Sequence, residues 1–512
     1  MTKRKQVCVI GAGVSGLAAA HAFKDQGHDV TVLERSHELG GVWAPHRSYP
    51  GIRTQSPKDL YRYTDAAMPE TYPEWPSGAQ VHGYLESYAR DKGLLPLIRF
   101  NTRVTGLVRR GQDTGAGIPA GGATADPRAG GWWVETEGAA GPERTGYDFV
   151  CVASGVFSER NELTHPGMEA FRDGGGTILH SSEYTDPALV RGRKVVILGF
   201  SKSATDVAVN AVQQGAASVT VVYLEPVWRV PYHFAGLINF KRILYCRASE
   251  AMFPGWDMSW GEKLRHALTK PLVWANWRAL ESLLTLQFGL KQLGMRPSQP
   301  IENGISCGLS LATEGFFPML KDGRIKAIQG TIASYSQGGI TLSTGDRLDA
   351  DVAILAVGWK IGVPFLPEDV RRTLTTPDGQ FRLYRLAVNP DVPDLGFVGF
   401  NSSFATVLTS DVAARWLVRY ADGQLARQPS KAEMSGWIDR HLDWRRSVRP
   451  AARVYGGLCS APYHFRYLDD LLADMGAARR RRANPLAETF LPPDADAYRS
   501  HLSSVPAYRL EG

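Results

Sequence analysis

The chain has 512 residues, 44% hydrophobic and 21% charged, with a formal net charge of +7. That length suggests roughly two to three domains at ~150 residues each, and the mild, dispersed basicity suits anionic cofactors while arguing against nucleic acid as a partner. No apolar run approaches the ~18 residues of a membrane-spanning helix, and five scattered cysteines (Cys8, Cys151, Cys246, Cys307, Cys459) without CxxC spacing argue for reduced thiols in a cytoplasmic setting rather than disulfides or zinc.

The first six residues run straight into the apolar Val7-Cys-Val-Ile10, which predicts no signal peptide. Gly11-Ala-Gly13-Val-Ser15-Gly16 follows, then a helix-like run, then Val30-Thr-Val-Leu33 ending on Glu34-Arg35. This order gives each glycine a task. Gly11 permits the tight turn, Gly13 lets backbone approach a pyrophosphate, and Gly16 lets helix pack on strand, with helix N–H groups aimed at the anion. Glu34 falls where an acid accepts hydrogen bonds from an adenosine ribose. Gly40-Gly41-Val-Trp43 adds glycines after the acid, which favours FAD over NAD at this turn.

A helix is predicted near 81–95 and strands near 98–107 and 131–137, with the Gly/Ala-rich 111–130 between them as an exposed hairpin loop. Tyr147–Val152 closes the unit as an apolar strand ending in Ala153-Ser-Gly155. A second fingerprint, Val195-Val-Ile-Leu-Gly199-Phe-Ser201-Lys202-Ser203-Ala204, opens a second α/β unit, and Asp351–Trp359 repeats the strand-plus-small-turn pattern of 147–155. The fold class is therefore α/β, two Rossmann-like dinucleotide-binding domains with the NAD(P)H domain inserted into the FAD domain. The expected boundaries are 1–160 for the first FAD part, 161–335 for the NAD(P)H domain, 336–450 for the second FAD part and 451–512 for a C-terminal extension. The cleft between the domains is the expected small-molecule site. Residues 227–290 turn aromatic and helical, with Trp228, Trp256, Trp260, Trp274 and Trp277. They read as a helical insertion with its own aromatic core; a substrate lid or a membrane-surface face is the sharper alternative. Arg479–Arg482 reads as a solvated basic stretch.

These features resemble the class B flavoprotein monooxygenases, with the plant flavin-containing monooxygenases and their bacterial relatives as the branch most similar in Gly199-Phe-Ser-Lys202-Ser-Ala204-Thr-Asp206 and in the C-terminal stretch. His180-Ser-Ser-Glu-Tyr184 resembles the end of the family fingerprint between the two domains, although Phe171 precedes His180 by nine residues where the fingerprint has six. The resemblance implies FAD and NADPH, with NADH as the alternative, and O₂ and a small molecule as the other reactants. In the implied cycle NADPH reduces FAD, O₂ adds at flavin C4a, and one oxygen of the hydroperoxyflavin goes to the substrate. Gln55 and His180 are the candidate catalytic residues. At Gln55 the animal enzymes carry asparagine, and typical Baeyer-Villiger enzymes carry aspartate nearby. A neutral amide leaves a protonated peroxide in place, which favours oxygenation of nitrogen or sulfur over the alternative, Baeyer-Villiger conversion of a ketone to an ester. The plain alternatives are that Gln55 only bonds backbone near the flavin and that His180 is a buried structural histidine. Lys202 and Arg229 are expected to favour the 2′-phosphate of NADPH against Glu225. No metal is expected, and the absence of CxxC near either fingerprint argues against a disulfide reductase.

Overall fold

The computed structural model describes residues 2–111, 130–306, 308–479 and 481–511. Two parallel sheets carry it, each of five strands. In the first, the order is Leu395–Phe397, Phe149–Val152, Gln6–Ile10, Asp29–Leu33 and Ile98–Arg99. Val7, Cys8, Val9 and all of Phe149–Val152 are buried, as strands must be when helices cover both faces of a parallel sheet. The helix Val14–Gln26 lies on this sheet against Thr406–Ala421, so the first unit is completed by chain far beyond the second fingerprint. An antiparallel sheet of Arg103–Arg109, Trp132–Gly138 and Gly141–Tyr147 is added to it. Most of the expected loop between the first two of these strands, 112–129, lies outside the described residues.

The second sheet runs Thr177–His180, Val352–Leu355, Lys194–Leu198, Ser218–Tyr223 and Ile325–Gln329. Here the structure corrects the expected boundary at 336. Val352–Leu355 pairs with Thr177–His180 on one side and Lys194–Leu198 on the other, so the inserted unit extends past 355. The repeat seen in the sequence is real, but each unit owns one copy. Phe149–Val152 and Val352–Leu355 occupy the same place, beside the strand that leads into the fingerprint turn. An antiparallel sheet of Ile332–Ser336, Gly339–Leu342 and Arg347–Asp349 shares a small core with Phe171, whose ring stands 5.5 Å from that of Tyr335.

Within 227–290, the 29-residue helix Trp260–Phe288 starts on a Ser259–Glu262 capping box and stops at Gly289, whose φ is +70°, an αL cap suited to glycine. Trp228, Trp256 and Trp277 are buried, whereas Trp260 and Trp274 are exposed; the aromatic core accounts for three of the five tryptophans. No helix among the described residues is long and apolar enough to cross a membrane.

Two expectations fail in the C-terminal third. Arg481 is not solvated: its guanidinium is buried, 2.8 Å from Asp469 Oδ1 and 2.7 Å from Glu488 Oε1. Cys8, Cys151 and Cys246 are free and buried, but Cys459 is disulfide-bonded; Cys307 lies outside the described residues.

Candidate active site

At the first fingerprint, Gly11 (φ +106°) donates its N–H to Leu33 O at 2.9 Å, and a Cβ there would stand 2.8 Å from Ala153 O. A Cβ on Gly16 would fall 1.8 Å from Gly11 O. The protein itself requires both glycines. Gly13 differs: its φ is −81°, and the nearest atom to a Cβ would be Gly41 Cα at 3.5 Å, an ordinary contact. Nothing in the polypeptide demands glycine at 13, yet the residue lines a cavity at the start of the helix Val14–Gln26. A Cβ would fill the place where a pyrophosphate meets helix N–H groups, so these residues fit a dinucleotide.

Glu34 is buried, its carboxylate accepting from Ala12 N at 2.7 Å and Ser36 N at 2.9 Å. It thus braces the turn while still lining the cavity. Arg35 donates to Ser158 O at 3.2 Å, Trp43 Nε1 donates to Tyr61 Oη at 2.7 Å, and Ser15 Oγ lies 3.1 Å from Ser410 Oγ.

At the second fingerprint, Gly199 donates to Val222 O at 2.8 Å, and a Cβ would stand 2.4 Å from Ala356 O. By these matching bonds the counterpart of Glu34 is Tyr223, buried with its ring 5.0 Å from that of Phe200; Glu225 lies exposed two residues on. Ser201 and Ser203 hydroxyls are 3.0 Å apart at the start of the helix Lys202–Gln213. Lys202 pairs with Asp206 and donates to Thr313 Oγ1 at 3.2 Å. Burial lowers its pKa, against the pull of Asp206. Asp206 also accepts from Tyr49 Oη at 3.0 Å and Thr313 Oγ1 at 2.5 Å. Burial, then the Asp206 charge, holds the Tyr49 hydroxyl well above its usual pKa, so it stays a donor. This contact joins the 49–57 segment of the first unit to the helix of the second. Tyr49 and Asp206 were in view in the sequence without an assigned task; nothing in their spacing shows that they meet.

One cavity of about 780 Å³ is lined from both units. Gly11, Gly13, Ser15, Glu34, Arg35, Gly41, Trp43, Gln55, Ser201, Lys202 and Ser203 reach it; Gly16 and Gly199 stand behind it as backbone spacers. The Gln55 carboxamide oxygen accepts from Leu311 N at 3.0 Å, and Gln55 O accepts from Tyr245 Oη at 3.3 Å. The plain alternative for Gln55, a backbone hydrogen bond, is therefore realised through the oxygen. The residue also lines the cavity. Arg47, not singled out in the sequence, donates to Phe157 O at 3.0 Å and stands 5.1 Å from the Trp359 ring centre. Burial and the neighbouring Arg35 draw its pKa down to about 10.

Two candidates are corrected. The Arg229 guanidinium is buried, donating to Phe200 O and Ser310 Oγ, and does not line the cavity; it closes the strand-to-helix turn from inside and is not available to a 2′-phosphate. His180 is likewise buried and outside the lining. Ser182 N donates to its Nδ1 at 3.2 Å, which leaves Nε2–H to donate to Gly358 O at 3.2 Å. Burial lowers its pKa, and the neutral ring straps the Thr177–His180 strand end to the turn after Val352–Leu355.

Two units of dinucleotide-binding type opening on one cavity are the arrangement of an oxidoreductase that uses two nucleotide cofactors. Residues 4–238 match the family model described as FMO-like, flavin-binding monooxygenase-like. The chain is 29% identical over 518 aligned residues to probable flavin-containing monooxygenase 1 of Arabidopsis thaliana, covering 96% of each chain. It is 25% identical over 500 residues to dimethylaniline monooxygenase (N-oxide-forming) 2 of Oryctolagus cuniculus, covering 92% of this chain and 83% of the relative. Oxidised steroid monooxygenase bound to NADP shares the fold, with a TM-score of 0.65 at 19% identity over 98% of each chain. These are similarities to flavin-binding monooxygenase-like proteins over residues 4–238 and to flavin-containing monooxygenases of a plant and a mammal over most of the chain.

Proposed function

We propose that this chain transfers one oxygen atom of O₂ to nitrogen or sulfur of a small molecule, the other atom leaving as water at the expense of NADPH. The first fingerprint would hold FAD through Gly11, Gly13 and Ser15 at its pyrophosphate, with Glu34, Arg35, Gly41 and Trp43 around the adenosine side. The second would hold the nicotinamide nucleotide through Gly199, Ser201, Lys202 and Ser203. When bound, the two cofactors supply hydride transfer and the activation of O₂.

The chain's own residues do the positioning. The Tyr49–Asp206 bond fixes the two units against each other, and Arg47 reaches Phe157 O and the Trp359 ring, one from each unit. Gln55 carries the preference for nitrogen or sulfur. Its amide oxygen accepts from Leu311 N and the residue lines the cavity as an uncharged group, which leaves a neutral oxidant protonated as oxygenation of a soft nitrogen or sulfur requires. The name of the rabbit relative, which forms an N-oxide, supports the same reading.

The test is product analysis under ¹⁸O₂ with a panel of amines, sulfides and ketones. N-oxides or S-oxides carrying one labelled atom are expected; an ester or lactone as the main product would overturn the preference. Protein that retains no FAD would overturn the whole assignment.

A further inference from the structure

Beside the first fingerprint, outside the cofactor cavity's own lining, three donor groups meet on the segment that follows Glu34. His46 Nδ1 is 2.6 Å from Glu38 Oε1, and His37 Nε2 is 3.6 Å from the same oxygen. One ligand atom from each of His37, Glu38 and His46 can be chosen so that all lie within 4.8 Å of one another. The two imidazole rings stand 5.0 Å apart. A third imidazole, His82, places Nε2 3.7 Å from the second Glu38 oxygen and 3.2 Å from Leu39 O.

The segment is held at both ends. Asn101 N donates to Ser36 O at 2.9 Å, and Gly40 N donates to Ala12 O at 3.0 Å. His37 and Glu38 are therefore carried on anchored backbone, and His46 lies on the short turn of helix Pro45–Arg47. The side chains of His37 and His46 are 66% and 32% exposed, which leaves an open path for an ion and its water. The Glu38 carboxylate is an acceptor-only ligand at neutral pH.

We infer that His37, Glu38 and His46 form a binding site for a borderline divalent cation of the zinc type. Two imidazoles and one carboxylate match the ligand set of a tetrahedral zinc centre with water at the fourth position. At bond lengths near 2.1 Å such ligands stand about 3.4 Å apart. The His37–Glu38 separation already approaches that spacing, and the His46–Glu38 hydrogen bond opens to admit the ion. His82, hydrogen-bonded to Leu39 O with Nε2 3.7 Å from the other Glu38 oxygen, flanks the carboxylate from outside the coordination shell. Because Gly41 and Trp43 lie on the same segment and line the cofactor cavity, the ion would brace the wall that covers the FAD adenosine half and slow FAD release.

The experiment uses untagged holoenzyme equilibrated with zinc chloride, passed through gel filtration and analysed for zinc and flavin per chain. One zinc per chain is expected in the parent. At least about tenfold weaker zinc binding is expected in His46→Ala and in His37→Ala, with flavin content unchanged in the absence of zinc. His37, two-thirds exposed, is the variant that cannot be lost to misfolding. A parent that retains no zinc, or a His37→Ala protein that retains it as tightly, overturns the site. Loss of flavin from the parent would instead count against the assignment of FAD to the first fingerprint.

Discussion

In the first unit Gly11 donates to Leu33 O and passes against Ala153 O; in the second Gly199 donates to Val222 O and passes against Ala356 O. Around these matching turns four strands of each sheet agree in order as well, each placing a late strand beside the fingerprint strand, while the outer edge strand is the last of its sheet in the first unit and the earliest in the second. Among the places where the units part are Gly13 against Ser201, Gly16 against Ala204, and Glu34 against Tyr223. What they share is what a strand must do to turn sharply into a helix. These three differences divide into helix packing at 16 and 204 and ligand contact at the other two.

The packing difference gives the largest expected effect. A Cβ at Gly16 would stand 1.8 Å from Gly11 O, whereas the second helix accommodates the Ala204 methyl, fully buried. Gly16→Ala should cost about 3 kcal/mol, the upper range for overpacking, and lower the soluble yield of flavoprotein sharply. The reverse change, Ala204→Gly, should cost only about 1 kcal/mol. Urea unfolding of both variants measures the contrast, and equal costs would mean that the two helices pack alike.

Gly13 separates ligand from fold. A Cβ there makes only an ordinary 3.5 Å contact with Gly41, so Gly13→Ala should leave apoprotein stability unchanged while weakening FAD by about a hundredfold, ~2.7 kcal/mol. Flavin titration against thermal unfolding of the apoprotein reads the two effects apart; a variant that binds FAD as well as the parent would remove the pyrophosphate from this position.

The bridge between the units comes next. Asp206→Asn keeps an acceptor for Tyr49 but strips Lys202 of its counter-charge, and a buried cation without a partner tends to lose its proton. NADPH KM should rise about tenfold, ~1.4 kcal/mol, with FAD content unchanged. A change in FAD content without a change in KM would show that Asp206 serves the first unit only.

Both fingerprints were legible in the sequence because the glycine requirement is local: it depends on a strand, a turn and a helix contiguous in the chain. Val352–Leu355 was legible as a strand and not as a member of the second sheet, since a short all-apolar strand suits the interior of either parallel sheet. Arg229 and Arg481 were misplaced for another reason. Whether an arginine faces solvent, a ligand or a carbonyl is decided by elements distant in sequence, such as Ser310 for Arg229 and Asp469 with Glu488 for Arg481. Gln55 was singled out by its motif, but the hydrogen bond to its oxygen comes from Leu311, 256 positions away.

His180 supplies the smallest effect and the last contrast between the units. It pairs with Leu355 as Phe397 pairs with Val152, so one sheet ends this strand on a titratable ring and the other on a phenyl ring. Burial holds the His180 pKa below 6.5. Above pH 6.5 the ring is neutral in folded and unfolded chains alike and contributes no pH dependence. As pH falls below 6.5 the unfolded chain takes up the proton first, and stability is lost progressively until the folded ring titrates at its lowered value. His180→Phe, which copies the first unit, should therefore flatten the acid side of the stability curve even though it sacrifices the strap to Gly358. Thermal unfolding between pH 7 and about pH 5 measures the slope. If the variant keeps the parent's slope, the acid sensitivity belongs to other groups and the His180 ring is not held neutral by the fold.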